Sequence, residues 1–193
     1  MTAPPAGESI TGDDEGNLIR ADKGNDIVGG GLGNDIIYGE EGDDVIRGDK
    51  NISRAGTTVA GGDDILYGGL GNDRIGGKAG NDHLFGDEGD DSLWGDAGDD
   101  TLTGGAGNDF LAGDDFDSRG SDTFVLAPAA GTDTIADFQV GRDVIGLAGG
   151  LSFSELLIAR SGSNTSIAFN GETLAILQGV TASLTDSSFV EIA

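Results

Sequence analysis

Aspartate recurs at one fixed place in a glycine-rich nine-residue unit between residues 21 and 112, as in GGLGNDIIY at 30–38 and GDEGDDSLW at 86–94. When each unit is numbered from 1 to 9, position 4 is glycine, position 6 is aspartate and position 8 is a large aliphatic residue. Calcium prefers such carboxylate and carbonyl oxygens and accepts six or more of them in a flexible loop, whereas magnesium requires octahedral geometry and keeps its water. Zinc would need histidine or cysteine, of which the chain has one and none. The spacing therefore predicts calcium sites.

The candidate metal ligands are the position-6 residues, including one asparagine in a degraded first unit at 12–20. They are Asn17, Asp26, Asp35, Asp44, Asp64, Asp73, Asp82, Asp91, Asp100, Asp109 and Asp122. The position-4 glycines are the candidate carbonyl donors, namely Gly24, Gly33, Gly42, Gly62, Gly71, Gly80, Gly89, Gly98, Gly107 and Gly120. A lone aspartate in a glycine-rich turn is usually a turn former, but so many in phase favour metal binding. The Asn and Asp residues at position 5 are interpreted as turn formers.

The unit is too short to bury its own apolar side chain, so the copies must stack on one another as a solenoid. Positions 7 to 9 have the composition of a very short strand, with position 8 pointing inward and positions 7 and 9 outward. The inward residues are Val28, Ile37, Ile46, Leu66, Ile75, Leu84, Leu93, Leu102 and Leu111. Positions 1 to 6 form the turn, where glycine allows the chain to curl around a ligand. The fold class is therefore all-β.

Three regions follow from the spacing: an N-terminal tail at 1–11, a repeat region at 12–126 and a C-terminal segment at 127–193. Insertions at 51–61 and 116–119 interrupt the repeats at turns, where a solenoid tolerates them. After residue 126 the nine-residue spacing stops and the segment reads as short strands that cap the open end.

Within the C-terminal segment a short helix is expected at 152–158 and a hairpin turn at Asn170-Gly171. Asp133, Asp137 and Asp143 lie in the same segment. Further calcium sites and turn roles are both open for these three residues.

The unit resembles the haemolysin-type calcium-binding nonapeptide of the RTX (repeats-in-toxin) family over residues 12 to 126. The resemblance implies a right-handed parallel β-roll in which two units make one coil, so that units two apart stack. One edge would then carry Asn17, Asp35, Asp64, Asp82, Asp100 and Asp122, and the other Asp26, Asp44, Asp73, Asp91 and Asp109. Carboxylates about 4.8 Å apart would repel by roughly 3 kcal/mol per pair at an effective dielectric near 20. About eight or nine calcium ions between them would reverse the sign of this interaction.

The composition excludes several classes of partner. The chain has 35 acidic and 10 basic residues, a net charge of -25, which argues against binding nucleic acid or anionic lipid through a basic surface. No 18-residue apolar run offers a membrane span. The start, MTAPPAGESITG, lacks an export signal, whereas the C-terminal segment resembles the tail of type I secretion substrates. That resemblance implies a secreted, extracellular protein with the type I secretion apparatus as a partner.

The sequence favours a calcium-responsive module that is not an enzyme, with no catalytic residue, because the HExxH and GxSxG motifs are absent and His83 is the sole histidine. It would fold outside the cell on binding calcium and serve the export of a type I secreted protein. The alternative is a C-terminal module of a secreted enzyme or adhesin that binds polysaccharide or another surface ligand. Tyr38, Tyr67 and Phe85 line one outer face, which is either a docking surface or cross-strand stacking.

Overall fold

A computed structural model describes residues 7–49, 61–114 and 120–192. Most of the predicted N-terminal tail, nearly all of the insertion at 51–61 and the insertion at 116–119 lie outside these ranges.

The described residues form eighteen β-strands and two short 3₁₀ helices. The strands of the repeat region are β1 (Ser9–Thr11), β2 (Leu18–Arg20), β3 (Ile27–Gly31), β4 (Ile36–Glu41), β5 (Val45–Asp49), β6 (Ile65–Leu70), β7 (Arg74–Ala79), β8 (His83–Glu88), β9 (Ser92–Ala97), β10 (Thr101–Ala106), β11 (Phe110–Asp114) and β12 (Thr123–Leu126). The strands after residue 126 are β13 (Asp133–Ile135), β14 (Val144–Leu147), β15 (Leu157–Ser161), β16 (Asn164–Phe169), β17 (Glu172–Leu177) and β18 (Phe189–Glu191).

Consecutive strands of the repeat region lie in opposite sheets, so two units make one coil. One sheet has the order β1-β3-β5-β7-β9-β11-β13-β17-β16-β15 and the other β18-β14-β12-β10-β8-β6-β4-β2. From β1 to β14 every pairing within a sheet is parallel and joins strands one coil apart. The register pairs position 8 with position 8, as in Ile37 with Leu66 across the insertion. The predicted all-β parallel roll is confirmed.

The core between the two sheets is a narrow column of aliphatic side chains. Every position-8 residue from Ile37 to Leu111 is 0% exposed, and Phe124 continues the column. The flanking positions 7 and 9 are partly or fully exposed in most strands. Each strand thus contributes a single large side chain to the core, because the strand-like part of the unit is only three residues long.

The parallel stacking runs past residue 126, where the nine-residue spacing ends. Strand β13 adds to β11, and β14 adds to β12. Longer spacing between strands only lengthens the turns, as an insertion does. The expected boundary after residue 126 is therefore a change of spacing within one continuous roll.

The two sheets end in different ways. Strands β15, β16 and β17 form an antiparallel meander whose last strand pairs with β13, while β18 pairs with β14. The predicted hairpin turn is present, with Asn170 in the left-handed region at φ 51°. The helix expected at 152–158 is reduced to a 3₁₀ turn over Phe153–Glu155. In the described ranges no helix is long and apolar enough to cross a membrane.

Candidate functional site

The position-6 aspartates form two continuous columns, one along each edge of the roll. In each column the backbone N–H of one aspartate donates to Oδ1 of the aspartate one coil later, as from Asp64 to Asp82 at 2.9 Å and from Asp82 to Asp100 at 2.8 Å. The same bond recurs along the first edge from Asn17 to Asp122 and along the second from Asp26 to Asp109. The structure therefore places all eleven predicted ligands in the two columns that the resemblance implied.

The second oxygen of these carboxylates has no partner. Among the described residues nine buried Oδ2 atoms make no hydrogen bond, those of Asp26, Asp35, Asp44, Asp64, Asp73, Asp82, Asp91, Asp100 and Asp109. The side chains that carry them are at most 2% exposed. Buried polar atoms are nearly always paired, because an unpaired one costs free energy. Nine unpaired carboxylate oxygens spaced regularly along the two columns are ligands that bound cations would satisfy.

Backbone carbonyls of the position-1 glycines lie beside the unpaired oxygens. A Cβ placed on Gly95 would lie 2.6 Å from the carbonyl oxygen of Gly113 one coil later, and closer still to Oδ2 of Asp100. The equivalent Cβ on Gly39 would meet Oδ2 of Asp44 and, at 2.5 Å, the carbonyl oxygen of Gly68. Each glycine thus leaves room for a small cradle of oxygens. The RTX resemblance implies carbonyl ligands from positions 1 to 4, but only the position-4 glycines are singled out from the sequence, although glycine recurs at position 1 from residue 30 to residue 113.

The position-4 glycines, predicted as carbonyl donors, stack directly on one another along both edges. The carbonyl oxygen of Gly71 points at the α-carbon of Gly89, and a side chain on Gly89 would overlap it. Gly89 also has φ 138°, a conformation that L-residues avoid. Glycine is therefore required here for the coils to approach one strand spacing apart. A ligand role for these carbonyls stays a prediction.

The geometry decides which kind of ion the columns could hold. In the part of the chain that the structure describes, no three acidic, histidine or cysteine side chains converge on one point. A cation beside an Oδ2 atom would therefore take much of its shell from backbone carbonyls. Calcium fits this donor set, since it accepts carbonyl oxygens in irregular numbers, while zinc sites are closed by histidine or cysteine.

Two further aspartates extend the columns beyond the predicted ligands. The backbone N–H of Asp109 donates to Oδ1 of Asp133, and that of Asp122 to Oδ1 of Asp143, both at 3.2 Å. Both sit in a G-x-D-x-I pattern, 131–135 and 141–145, which keeps positions 4, 6 and 8 of the unit. That pattern was the available signal, and only its irregular spacing concealed it. Asp137 instead accepts hydrogen bonds from the N–H groups of 113 and 114.

The carboxylates oppose their own ionisation in the absence of a cation. The pKa of Asp82 is raised to about 8, mainly by burial; the hydrogen bond from Asp64 N–H acts in the opposite direction, and the charges of Asp100 and Asp64 act in the same direction as burial. Burial likewise raises the pKa of Asp73 to about 7 and that of Asp91 to about 6. A fold that must hold these groups charged at neutral pH needs positive charge beside them.

The aromatic residues on the outer face stack on one another. The ring centroids of Tyr38, Tyr67 and Phe85 are 4.8 Å apart in succession, with interplanar angles of 2° and 9°. The guanidinium of Arg20 lies 4.2 Å from the Tyr38 ring centroid. Because each ring lies face to face with the next one, cross-strand stacking accounts for this row. His83 is an exposed residue of the same sheet.

Comparison with known proteins gives one family and several similar structures. The model of the RTX calcium-binding nonapeptide repeat matches four copies, at residues 23–51, 60–84, 76–111 and 85–119. No curated protein sequence matches the chain. The extracellular lipase LipA from Serratia marcescens is 20% identical, with a TM-score of 0.45 over 98% of this chain and 40% of the lipase chain.

Two subunits of the Azotobacter vinelandii mannuronan C5-epimerase are also similar. AlgE6R2 and AlgE6R3 are each 28% identical to this chain, with TM-scores of 0.33 and 0.26. The matches cover 72% and 73% of this chain, and 95% and 86% of the two subunits.

Filling one oxygen cradle should weaken cation binding. In Gly86→Ala the new methyl would overlap Oδ2 of Asp91 and the carbonyl oxygen of Gly104, a strain of about 1–3 kcal/mol by comparison with overpacked cores. We expect a higher calcium midpoint for folding, measured by circular dichroism. Gly29→Ala is the matched control, because nothing lies within 4 Å of its Cβ. Equal midpoints for the two variants would contradict the cradle.

The raised pKa values predict opposite pH effects with and without calcium. Because the folded, metal-free aspartates bind protons more tightly than the unfolded chain does, their contribution to stability is fully present below about pH 4 and is lost as pH rises through about 6 to 8. In EDTA the β signal should therefore grow as pH falls from 8 to 5. With calcium, protons compete for the same oxygens, so the calcium midpoint should rise over that range. Circular dichroism at both pH values tests this, and a metal-free signal that stays constant would refute it.

Proposed function

Because this chain carries RTX calcium-binding nonapeptide repeats, we propose that it is a non-enzymatic module that folds when a row of calcium ions binds along each edge of the roll. The nine buried and unpaired Oδ2 atoms carry this proposal. Eight or nine ions would suit the gaps between successive position-6 residues, and the last would use the amide oxygen of Asn17. That oxygen and the carbonyl oxygen of Gly30 lie together beside Gly12, which is the arrangement of the other cradles.

Charge makes calcium a condition for folding in this proposal. The net charge of -25 opposes any compact state. Nine dications would offset 18 of these charges and would sit beside the oxygens that the fold leaves unpaired. Since a site of this kind does not exist in the unfolded chain, the free energy of calcium binding is available as folding free energy.

The same coupling gives a role in export. Extracellular calcium modules typically bind at about 10⁻⁴ to 10⁻³ M, so in a calcium-poor cytosol the acidic, glycine-rich chain would stay extended. We propose that the type I secretion apparatus exports it in that state and that it folds outside the cell. The β15–β17 meander supports folding from the C-terminal end, because its antiparallel contacts are local and involve no aspartate column.

In this proposal any catalytic or polysaccharide-binding activity belongs to another part of a longer protein that contains these repeats. This chain spans 40% of the lipase chain that it resembles. If the repeats are one part of a secreted enzyme or adhesin, we place any catalytic or polysaccharide-binding residues in that other part. A native gene product of the present length with hydrolase activity would contradict this division.

A calcium titration tests the proposed folding directly. The chain in EDTA at pH 7.5 should give the circular dichroism spectrum of a disordered polypeptide, and calcium in the 10⁻⁴ to 10⁻³ M range should produce a cooperative β signal. Magnesium at the same ionic strength should produce little, because it dehydrates reluctantly. A β signal that appears equally with both ions, or without either, would refute calcium-specific folding.

Removing a single column carboxylate should weaken the response more than removing a surface carboxylate. Asp82→Asn turns an oxygen of a buried rung into an amide donor that repels a cation, so the calcium midpoint should rise roughly three- to tenfold, or about 0.7–1.4 kcal/mol. Asp63→Asn removes the same charge from an exposed neighbouring column and should shift the midpoint less than about twofold. Similar shifts in both variants would show that overall charge, and not the columns, controls folding.

A further inference from the structure

The Asn and Asp residues at position 5 follow a pattern of their own. Along the sequence they come in pairs, two Asn, two Asp, two Asn, two Asp and one Asn. Because two units make one coil, this pattern becomes strict alternation along each edge of the roll. One edge carries Asn25, Asp43, Asn72, Asp90 and Asn108, and the other carries Asn34, Asp63, Asn81 and Asp99. We call these two rows the position-5 ladders.

The position-5 ladders join successive coils through exposed hydrogen bonds. Asn72 N–H donates to Oδ1 of Asp43 at 2.9 Å, and Asp90 N–H donates to Oδ1 of Asn72 at 2.7 Å. The other edge repeats the arrangement from Asn81 to Asp63 and from Asp99 to Asn81, both at 2.8 Å. Amide and carboxylate oxygens both accept this bond along the ladders. Hydrogen bonding therefore explains why position 5 is Asn or Asp, but it does not explain the alternation.

The positions that are constant among the repeats do not distinguish one coil from the next. In the regular units between residues 21 and 112, position 4 is glycine, position 6 is Asp and position 8 is aliphatic. A chain that expelled one whole coil, such as residues 68–85, would therefore rebuild the same glycine, aspartate and aliphatic columns. Near-identical repeats face this error because each coil contacts only its neighbours.

At position 5 an expelled coil brings like residues together. Loss of residues 68–85 would set Asp43 beside Asp90 on one edge and Asp63 beside Asp99 on the other. In the native stack no position-5 carboxylate has another carboxylate next to it in its ladder, and Asp99 lies between Asn81 and Ser121. The next carboxylate in the ladder is two strand spacings away, roughly 10 Å, a distance at which physiological salt screens most of the repulsion.

We propose that the alternation of Asn and Asp in the position-5 ladders fixes the register of the stack, because it disfavours a stack from which one whole coil is left out. The alternation continues across the insertion at 51–61, since Asn34 is followed in space by Asp63 and Asp43 by Asn72. The pattern thus follows neighbours in the stack and not distance along the chain. It acts beside the aspartate columns and needs no calcium of its own.

An engineered disulfide can trap the misjoined stack. The chain has no cysteine of its own, so the two introduced thiols can pair only with each other within one molecule. Val45 is paired with Arg74, and Arg74 with Ser92, so two strand spacings separate Val45 from Ser92. That separation, roughly 10 Å, exceeds the limit of about 7 Å between the α-carbons of a disulfide. With residues 68–85 expelled, the two positions become direct neighbours. In a V45C/S92C background the intramolecular disulfide formed during oxidative refolding with calcium therefore reports the error.

The test removes the charge pattern and keeps the hydrogen bonds. D43N/D63N/D90N/D99N in that background leaves an all-amide pair of ladders, and we expect a roughly two- to tenfold larger cross-linked fraction, since two contacts between like charges no longer oppose the error. E8Q/E15Q/E172Q/E191Q removes four charges from exposed positions outside the ladders and is the matched control. Equal cross-linking in the two variants would overturn the proposal.

A second variant keeps the net charge. D43N/N72D places a carboxylate beside Asp90 in the native stack and removes the repulsion from one edge of the misjoined stack, so cross-linking should again exceed that of the V45C/S92C background. In 1 M salt, where the screening length is about 3 Å, the cross-linked fractions of both ladder variants and of the V45C/S92C background should become similar. An excess that persists in high salt, or no excess for D43N/N72D, would overturn the charge basis. Circular dichroism of each refolded sample gives its folded fraction, and the cross-linked fraction is normalised to that value.

Discussion

The fold depends on two columns of buried carboxylates stacked one strand spacing apart. The two oxygens of each carboxylate do different things: Oδ1 accepts a backbone N–H from the preceding coil, while Oδ2 faces an oxygen-lined gap without a partner. The first contact requires the coils to be close, and the second opposes that closeness as long as the carboxylates are charged. The glycines at positions 1 and 4 make room for both demands. The roll is therefore built around a repulsion that only positive charge can remove.

The hydrophobic core is too narrow to overcome that repulsion alone. Each strand adds one large side chain to the column, and 37 of 193 residues are glycine, which contribute nothing to apolar burial and lose much backbone entropy on folding. Neighbouring coils are instead held by side chains that reach in opposite directions. The position-6 aspartate accepts a hydrogen bond from the coil before it, and the adjacent position-5 residue accepts one from the coil after it. Adjacent residues thus connect every inner coil to both of its neighbours.

The columns could be predicted because the resemblance to the RTX repeat implies two units per coil, so that residues 18 apart in uninterrupted repeats stack along the same edge. The sequence predicts position 8 as core because it is the consistently apolar position in the strand-like part of the unit. Asp133 and Asp143 were left undecided because their spacing is irregular, although the local pattern around them is intact. The resemblance implies ligand carbonyls from positions 1 to 4, but side-chain type does not show which of these backbone carbonyls face the unpaired carboxylate oxygens. The sequence predicts local turn formers at position 5, whereas the hydrogen bonds of these residues are to residues one coil away, which no local propensity indicates.

The residues at the two ends of the column that begins at Asn17 differ from those inside it in a way that the repulsion between carboxylates explains. A carboxylate at an end has a neighbour on one side only, so a cation there would be held by fewer oxygens. At the start of one column the rung is Asn17, which is neutral, and its Oδ1 accepts the N–H of Asp13 at 2.8 Å. At the end of the same column Asp143 has no free oxygen facing a gap, because its Oδ2 accepts the N–H of Gln139 at 2.6 Å. In this column backbone N–H groups therefore bond to the terminal side chains, and the unpaired Oδ2 atoms lie on the inner rungs from Asp35 to Asp100, where carbonyls from the following coil can complete a cation site. The other column begins at Asp26, whose Oδ2 is itself unpaired.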